Sequence, residues 1–478
     1  MPVNIYAITD SHQESSNLSR LLSGIYSYEK NNNTPFLVLD CGDLFKGIYD
    51  KDLSVNAYLK LKELLPNAQI FITLGNNDFG FNKKDFEYLK TTIAKFKQAG
   101  INVICANLKN ISSGAEEELT PKYKIININN KKILITGFCV NNSCAKKFGY
   151  ELTQPVETFN NLIENISENF DKIIVLNHHW YADSKKLKHL SSAKIDLIIG
   201  GHEHSPIPPD YENNIFYPYS FARSLYKMTL DKDVENIQQL FLEDFDFIDE
   251  FEKPIKEYEE LTNLKKPITK RVLNLTKCYS DPCPLGTFIS DKMKEAGGTD
   301  IAFHSTGFTM YPLRLEDSDS ITKYDLDRVL CASTSIEKIE ITTDQLKKVF
   351  ENATINRLNR TRGNSKFIQC SQNIKITGKG NLADNTYKIL QIEINGEKLL
   401  DKYQKAISLN RKFSCTIDPY IGSGEQGFEI LKDIPKTKIL KNGEEVKINE
   451  LFYDSLKNAQ QDFLKYGSQY PSFILVDL

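Results

Sequence analysis

Short apolar runs alternate with amphipathic stretches through the first half of this 478-residue chain. An apolar run bounded by turn residues is typical of a buried strand, and apolar residues spaced three and four apart are typical of a helix. The strand-like runs are NIYAIT, PFLVLD, QIFITL, INVICANL, KILITGF, KIIVLNH and IDLIIGG, and the helical stretches are DFEYLKTTIAKFKQA and VETFNNLIENISENF. The alternation predicts an α/β domain in which helices pack on a sheet.

Polar motifs follow five of these runs, each where a predicted strand ends. Each motif is weak by itself, because Asp-x-His is a common spacing and Gly-Asp often only marks a turn. Strand ends of an open α/β sheet are nevertheless where ligands and metals collect. The motifs are Asp10-Ser11-His12, Gly42-Asp43, Gly75-Asn76, His178 and His202-Glu203-His204.

Seven side chains in these motifs are candidate metal ligands of carboxylate, amide and imidazole type. They are Asp10, His12, Asp43, Asn76, His178, His202 and His204. This mixture suits two divalent ions of intermediate softness, such as manganese, zinc, iron or cobalt, better than calcium, which prefers an all-oxygen site. The sequence therefore predicts a site for two divalent metal ions.

The second half of the chain has α/β signals of its own. PLGTFISDKMKEAGG predicts a helix, DIAFHST a strand, and EKIEITTDQLKKVFENA a strand that runs into a helix. The Asn-Gly pair in KILQIEINGEKLL predicts a hairpin. The highly charged stretch before this half shows no strand pattern, and its charges are typical of a solvated helix face. We therefore expect a metal-binding domain over 1–235, a helical linker over 236–270 and a second α/β domain over 271–478.

Composition argues against two classes of partner. The formal net charge is only -3, from 60 basic and 63 acidic residues, which offers no electrostatic basis for binding a nucleic acid polymer or a membrane surface. No apolar run approaches the length of a membrane span. We therefore expect neither partner.

Cysteine usage and the N-terminal sequence bear on the compartment. The nine cysteines are odd in number and include no C-x-x-C pair, so reduced thiols are expected. The chain starts with MPVNIYAITDSH and enters a strand pattern without the features of a signal peptide. We expect a cytoplasmic protein from the sequence as written, or a periplasmic or secreted one if a signal peptide has been removed.

The order of the motifs resembles that of the calcineurin-like metallophosphoesterases. FLVLDCGDLFKG, INVICANL and IDLIIGGHEHSPI are similar to segments of the 5'-nucleotidase branch, and PLGTFISDKM, EKIEITTDQLKKVFENA and SKFIQCSQNIKIT are similar to segments of its C-terminal domain. The resemblance covers nearly the whole chain. It implies a four-layer α/β-β/α sandwich followed by a second α/β domain of the 5'-nucleotidase C-terminal type.

The resemblance also implies a role for each ligand. Asp10, His12 and His204 would hold one metal, Asn76, His178 and His202 the other, and Asp43 would bridge them. A hydroxide shared by the two ions would attack phosphorus. His179 is a rival for the role of His178, but the alternation of side chains along a strand favours His178.

The chain departs from the family where catalysis needs a proton donor. Relatives that act on nucleotides carry a histidine after the metal-binding asparagine and an aspartate three positions later, where this chain has Asn77 and Gly80. Asn77 cannot give up a proton near neutral pH, and such acid catalysis contributes about 10²–10⁴ in rate. Asn77→His with Gly80→Asp would restore the pair if the glycine's backbone tolerates a side chain. The candidate catalytic residues are Asn77, Asp78 and His179.

The nucleotide pocket of the second domain departs as well. Three segments occupy the positions of the family's nucleotide-binding motifs but differ from them. HSTGFTM is at the position of a glycine-rich run that ends in arginine, VLCASTS at that of an aromatic clamp, and GEQGF at that of Gly-Gly-Asp-Gly-Phe. No arginine lies between Arg271 and Arg314, so a guanidinium fork for an anionic substrate is absent from that stretch. The predicted substrate-binding residues are Ser305, Thr306, Tyr420, Gln426 and Phe428.

Two functions fit these observations. The first is a metal-dependent phosphoric ester hydrolase of altered specificity, acting on a small phosphorylated substrate such as a nucleotide or another phosphate ester or anhydride. A leaving group that is already a good one, such as the phosphate of a phosphoanhydride, tolerates the lost acid. The alternative is a catalytically weakened, metal-containing binding or regulatory protein of the same fold. Buried ligands without an ion are destabilising, which favours the enzyme.

Overall fold

The structure is a computed structural model that divides into two compact units, Met1–Glu259 and Glu260–Leu478. The residues that it describes are 2–80, 82–111, 118–141, 143–270, 282–308, 320–330, 334–354, 367–381, 386–408, 411–458 and 473–476.

The first unit alternates strands with helices. Its strands are β1 (Val3–Ile8), β2 (Phe36–Asp40), β3 (Ala68–Thr73), β4 (Asn102–Ile104), β5 (Leu108–Asn110), β6 (Tyr123–Ile128), β7 (Lys131–Cys139), β8 (Tyr150–Leu152), β9 (Lys172–His178), β10 (Leu197–Gly200), β11 (Ile215–Phe216), β12 (Ser224–Leu230) and β13 (Val234–Phe241). Its helices are α1 (Ser15–Glu29), α2 (Lys51–Leu64), α3 (Lys83–Gln98), α4 (Ser143–Lys147), α5 (Pro155–Asn165), α6 (Tyr181–Leu190) and α7 (Asp249–Thr262).

Two larger sheets organise this unit. The strand order is β13-β12-β1-β2-β3-β4 in one sheet and β11-β10-β9-β7-β6 in the other. Strands β1 to β4 run parallel, and so do β7, β9, β10 and β11. In the first sheet Ile8 lies opposite Asp40, and Asp40 lies opposite Ile72. This register brings the carboxyl ends of β1, β2 and β3 to one edge.

The two sheets pack face to face and helices cover their outer faces. One apolar cluster, which includes Ile5, Leu39, Ile174 and Ile199, joins strands from both sheets. A second joins the first sheet to α1, α2 and α3, and a third joins the other sheet to α5 and α6. These contacts confirm the expected four-layer α/β-β/α sandwich. Because both faces of each sheet are buried, the strands appear in the sequence as continuous apolar runs.

Two segments of the first unit differ from the sequence-based expectation. The helix expected over VETFNNLIENISENF ends at Asn165, because Ile166 is extended and packs with Phe170 against the outer cluster. Val234–Phe241, within the charged segment, forms the edge strand β13 paired with β12. An edge strand exposes polar residues, which hides its pattern. The helical linker over 236–270 stays a prediction, with α7 as its helix.

The second unit is also α/β. Its strands are β14 (Pro267–Lys270), β15 (Ile301–Ser305), β16 (Ser320–Thr322), β17 (Glu337–Thr342), β18 (Ile368–Cys370), β19 (Ile374–Asn381), β20 (Thr386–Ile394), β21 (Glu397–Lys398), β22 (Lys412–Ile417), β23 (Thr437–Lys438), β24 (Leu440–Lys441), β25 (Glu444–Glu445) and β26 (Phe473–Val476). Its helices are α8 (Pro284–Gly297), α9 (Lys323–Val329), α10 (Thr343–Thr354), α11 (Pro419–Gly422), α12 (Glu429–Lys432) and α13 (Ile448–Asn458).

Two sheets and two apolar clusters form the body of the second unit. One sheet has the strand order β18-β15-β22-β17-β23 and the other β21-β20-β19-β26. The predicted hairpin is confirmed, because β20 and β21 pair across Asn395 and Gly396, both with positive φ. The predicted strand and helix over 337–353 are confirmed as β17 and α10.

Seven cysteines of the described residues are free and buried. In the same residues no helix has both the length and the apolar character that a membrane span requires.

A buried carboxylate anchors α1 to the strand that leads into the polar edge. Glu29 is 1% exposed and accepts hydrogen bonds from the Tyr6 hydroxyl at 2.6 Å and from the side-chain amides of Asn4 at 2.8 Å and Asn32 at 2.6 Å. Because Tyr6 lies in β1, this cluster fixes the helix to the strand. A buried carboxylate that loses a donor is destabilising.

We predict that Tyr6→Phe lowers the free energy of unfolding of the first unit by about 1.5–3 kcal/mol, because Glu29 loses a charge-assisted hydrogen bond. Urea denaturation followed by the fluorescence of Trp180, the single tryptophan, measures this. Tyr88→Phe is the matched control, since the Tyr88 hydroxyl bonds Asp52 in an exposed position and its loss should change stability by less than about 0.5 kcal/mol. Equal destabilisation by the two variants would contradict the prediction.

Candidate metal centre

The loops that follow β1 and β2 pair with each other through their backbones. The N–H groups of Asp10, His12 and Gln13 donate to the carbonyls of Gly42, Asp43 and Leu44 at 2.9, 2.9 and 3.0 Å. Asp10, His12 and Asp43 have φ values of 47°, 45° and 57°. Side chains rarely adopt this left-handed conformation, which persists only where surrounding contacts impose it. The pairing therefore fixes three candidate ligands in strained positions.

Two glycines allow the loops after β2 and β3 to touch. A Cβ at Gly75 would lie 2.2 Å from Oδ1 of Asp43, and a Cβ at Gly42 would lie 2.5 Å from the backbone nitrogen of Gly75. Gly42 also has a φ of 86°. A side chain at either position would separate the two loops.

Four side chains form the first group of candidate ligands, which comprises Asp10, His12, Asp43 and His204. The Nε2 atoms of His12 and His204 lie 3.0 Å apart. His12 Nε2 is 3.6 Å from Oδ2 of Asp43, and His204 Nε2 is 3.4 Å from Oδ1 of Asp10. Two imidazoles and two carboxylates therefore converge on one point.

The second group shares Asp43 with the first and adds His178 and His202. His178 Nε2 lies 3.3 Å from Oδ2 of Asp43 and 3.2 Å from the amide oxygen of Asn76. His178 Nδ1 lies 2.7 Å from the Cys41 carbonyl oxygen. A proton on Nδ1 would donate to that carbonyl, which leaves Nε2 for a metal. Six of the seven predicted ligands thus lie in two groups that share Asp43, and the seventh, Asn76, contacts His178 of the second group.

The charges of these groups depend on burial and on each other. Burial raises the pKa of Asp10, but the charge of His178 and the hydrogen bond with His204 outweigh it and lower the pKa to about 2. Burial lowers the pKa of His12 to about 4, and burial with the charge of His178 lowers the pKa of His202 to about 3. His178 is the opposite case, since Asp43 and Asp10 outweigh burial and raise its pKa to about 10.

The donor set fits divalent metal ions. At neutral pH His12 and His202 are neutral imidazoles beside ionised carboxylates, which is the protonation state that metal ligands need. The ligand atoms within each group lie within 4.8 Å of one another. Nitrogens 3.0 Å apart and converging carboxylates repel one another unless a cation or proton lies between them. The two groups are therefore a candidate divalent-metal site.

Asn77 and Asp78 both contact the shared carboxylate's loop. The backbone N–H of Asn77 donates to Oδ1 of Asp43 at 2.7 Å, and its side-chain amide donates to Oδ2 at 2.5 Å. Asp78 is 3% exposed and accepts from the backbone N–H groups of Asp43, Gly75 and Phe45 at 3.0, 2.8 and 3.1 Å. Asp78, predicted as a catalytic residue, therefore lies where a positioning residue would, under the two loops that carry the ligands.

His179 lies beside the site but outside the two ligand groups. Its Nδ1 is 3.8 Å from a carboxylate oxygen of Asp183, and its Nε2 is buried with no hydrogen-bond partner among the residues described. Its place among the candidate catalytic residues stays a prediction.

Gly80 occupies a position that excludes the missing aspartate. It has a φ of 68°, and a Cβ there would lie 2.1 Å from Cβ of Asp85. The condition set for Gly80→Asp is therefore not met.

Two aromatic residues at the site were missed by sequence reasoning. The half-buried Trp180 ring lies 4.2 Å from the His202 ring. The buried Phe221 ring lies 5.2 Å from the His12 ring and 5.0 Å from the His204 ring. Trp180 follows VLNHH directly and is the single tryptophan, which was a usable signal. Phe221 sits on an irregular loop and left none.

The substrate-binding residues predicted in the second unit have different surroundings. Ser305, Thr306 and Phe428 are fully buried or nearly so, with Phe428 inside an apolar cluster. Tyr420 is 40% exposed. The side chain of Gln426 lies outside the described residues. The assignment of these five residues to substrate binding stays a prediction.

Comparison with known proteins agrees with this architecture. The family model "Calcineurin-like phosphoesterase" matches residues 3–206, and the model "5'-nucleotidase, C-terminal domain" matches residues 260–433. An apyrase of Aedes albopictus is 23% identical over 452 residues, which cover 83% of this chain and 76% of the apyrase.

Solved structures show the same fold at low sequence identity. A 5'-nucleotidase precursor from Thermus thermophilus has a TM-score of 0.75 at 16% identity and covers 100% of this chain and 99% of its own. A 5'-nucleotidase from Candida albicans has a TM-score of 0.63 at 14% identity and covers 95% of this chain and 98% of its own. The chain therefore combines a calcineurin-like phosphoesterase domain, matched over residues 3–206, with a 5'-nucleotidase C-terminal domain, matched over residues 260–433.

Proposed function

We propose that the protein hydrolyses a small phosphorylated substrate at two divalent ions, and that it prefers a phosphoanhydride to an unactivated phosphate monoester. The observation that carries the proposal is the pair of ligand groups that share Asp43. A single carboxylate in contact with both groups is the arrangement expected of a bridging ligand.

Asp10, His12 and His204 would hold one ion, and Asn76, His178 and His202 the other. When bound, the ions would supply positive charge to the phosphoryl oxygens and lower the pKa of an attacking water. Manganese, zinc, iron and cobalt all suit these ligands. The Cys41 carbonyl orients His178, and Asn77 with Asp78 holds Asp43 in place.

The preference for a phosphoanhydride follows from the chemistry of Asn77. Its amide donates to Asp43 and cannot protonate a departing oxygen. A departing phosphate is stable as an anion, whereas a sugar alkoxide needs a proton. The apyrase name of the mosquito relative and the 5'-nucleotidase names of the structural neighbours support a nucleotide as the substrate class.

Asp43→Asn should reduce bound metal from two equivalents to one or fewer and lower hydrolysis at least about 10³-fold, because the variant removes the charge shared by both ions. Metal content by plasma mass spectrometry and turnover of 4-nitrophenyl phosphate measure the two effects. Asp196→Asn is the matched control. Asp196 is a buried carboxylate outside the two ligand groups, and its Oδ1 lies 2.9 Å from Nζ of Lys172. Two equivalents of metal retained by Asp43→Asn would overturn the bridging role.

The rate should depend steeply on the pKa of the leaving group, because no residue assigned here protonates the departing oxygen. A series of aryl and alkyl phosphates and phosphoanhydrides of graded leaving-group pKa, assayed with the manganese-loaded protein, measures the slope. A flat dependence would show that another group, with His179 the first suspect, supplies the proton.

Asn77→His should flatten that slope by accelerating poor leaving groups by up to about 10²-fold. Asn77→Ala is the control, because it also loses the amide bond to Asp43 but adds no acid, and it should slow all substrates alike. Acceleration of poor leaving groups by both variants would argue against acid catalysis. No turnover of any substrate by metal-loaded wild-type protein would favour the binding or regulatory alternative.

A further inference from the structure

The loop between β11 and β12 is hydrogen-bonded to a residue of the candidate metal centre. The backbone N–H of Phe221 donates to the carbonyl of Asp10 at 2.5 Å, and the side-chain amide of Asn17 donates to the carbonyl of Phe221 at 2.9 Å. Phe221 and Ala222 have φ values of 65° and 47°. Anchored to the backbone of a candidate ligand, this loop has a fixed position relative to the metal site.

The loop presents an arginine at the rim of the site. The exposed Arg223 guanidinium lies 5.8 Å from the centre of the Phe221 ring, and that ring lies 5.0 Å from the His204 ring. The distance from the guanidinium to His204 therefore cannot exceed the sum of these two separations. A second phosphate linked to one held by an ion at His204 would extend into the same neighbourhood.

Contacts of the guanidinium leave much of its hydrogen-bonding edge accessible. Nε donates to the Ser220 carbonyl at 2.9 Å, a second nitrogen lies 3.4 Å from the Ser220 hydroxyl, and the rings of Tyr219 and Phe221 flank the group at 5.9 and 5.8 Å. None of these four contacts neutralises the charge. Arginine has five N–H donors in a planar fork that matches phosphate, so an oriented cation remains for an anion.

We infer that Arg223 binds the leaving phosphate of a phosphoanhydride substrate whose terminal phosphate lies at the metal centre. The inference rests on the proposed function and deepens it by assigning a residue to the leaving group. The anion would be recognised by the domain that carries the metals.

Hydrolysis of a phosphoanhydride places negative charge on the leaving phosphate, which Arg223 would stabilise and Asn77 cannot protonate. The oxygen of water forms a bond to the terminal phosphorus, and the bond from that phosphorus to the bridging oxygen breaks. The bridging oxygen keeps the electron pair and leaves as part of the second phosphate, while the protons of water pass to solvent and to the phosphate products. A guanidinium beside that phosphate stabilises the new charge without transferring a proton.

Arg223→Gln should weaken recognition of two linked phosphates and spare one. With manganese-loaded full-length protein, kcat/KM for ADP should fall about 10- to 100-fold, the effect of one charge-assisted hydrogen-bonded contact. The value for 4-nitrophenyl phosphate should change less than about 2-fold. Arg223→Lys should restore part of the loss, because lysine keeps the charge but lacks the fork.

Binding measurements keep the test independent of turnover. Methylenediphosphonate, which has no cleavable bridging oxygen, should bind the Arg223→Gln variant about 10-fold or more weakly than wild type, with binding of inorganic phosphate unchanged. Calorimetry, or the fluorescence of Trp180 next to His202, reports both affinities. If wild-type protein binds methylenediphosphonate but turns over no substrate, the proposed function is refuted. Weaker binding of methylenediphosphonate by Arg223→Gln would still support the inference in that case.

Two comparisons separate recognition from structure. Arg20→Gln is the control, because Arg20 has contacts like those of Arg223. Its Nε donates to the Phe245 carbonyl at 2.7 Å, and its guanidinium lies 5.7 Å from the centre of the Phe247 ring. This variant should leave kcat/KM unchanged for both substrates. Metal content of Arg223→Gln should equal that of wild type. An equal loss on ADP and 4-nitrophenyl phosphate, or unchanged affinity for methylenediphosphonate, would overturn the inference.

Discussion

Backbone pairing between the loops after β1 and β2 is the constraint on which the metal centre depends. Three hydrogen bonds join residues 10, 12 and 13 to residues 42, 43 and 44, and they hold Asp10, His12 and Asp43 in left-handed conformations. Each such conformation is unfavourable by about 1–3 kcal/mol by itself. The parallel register of the strands sets the loops side by side, so the layered fold supplies what the strained ligands require. Asp78 ties the loop after β3 to the loop after β2 by accepting hydrogen bonds from three backbone N–H groups.

The electrostatics of the site follow from that geometry. Buried carboxylates and imidazoles are brought so close that His178 has a raised pKa and His12 a lowered one, although both are imidazoles in the same cluster. Their positions relative to Asp43 and Asp10 decide the difference. Such a cluster is most stable when cations occupy it, which connects the fold of the first unit to a metal-dependent activity.

The sequence predicted the strands well because each is buried on both faces and therefore appears as an apolar run, as in PFLVLD and KIIVLNH. The proximity of the seven candidate ligands was predictable because they follow those runs directly. The edge strand Val234–Phe241 escaped detection, since its polar side chains face water. Phe221 and Arg223 escaped for another reason: their proximity to the ligands comes from a tertiary hydrogen bond to Asp10, which no local pattern encodes. The three hydrogen bonds that Asp78 accepts could not be predicted either, because their donors are backbone N–H groups, which carry no sequence signature.

The close approach of Asp85 to Gly80 restricts which substitutions the loop after β3 can accept. Cβ of Asp85 lies 2.1 Å from where a Cβ at Gly80 would be. The backbone N–H of Asp85 donates to the side-chain oxygen of the N-cap residue Asn82 at 3.0 Å, and its carboxylate pairs with Lys51 at 2.6 Å. An aspartate at position 80 would therefore require the start of α3 to move, because the clash is with Cβ of residue 85. One substitution, Asn77→His, would restore the histidine of the dyad, whereas the aspartate meets a steric barrier at Gly80.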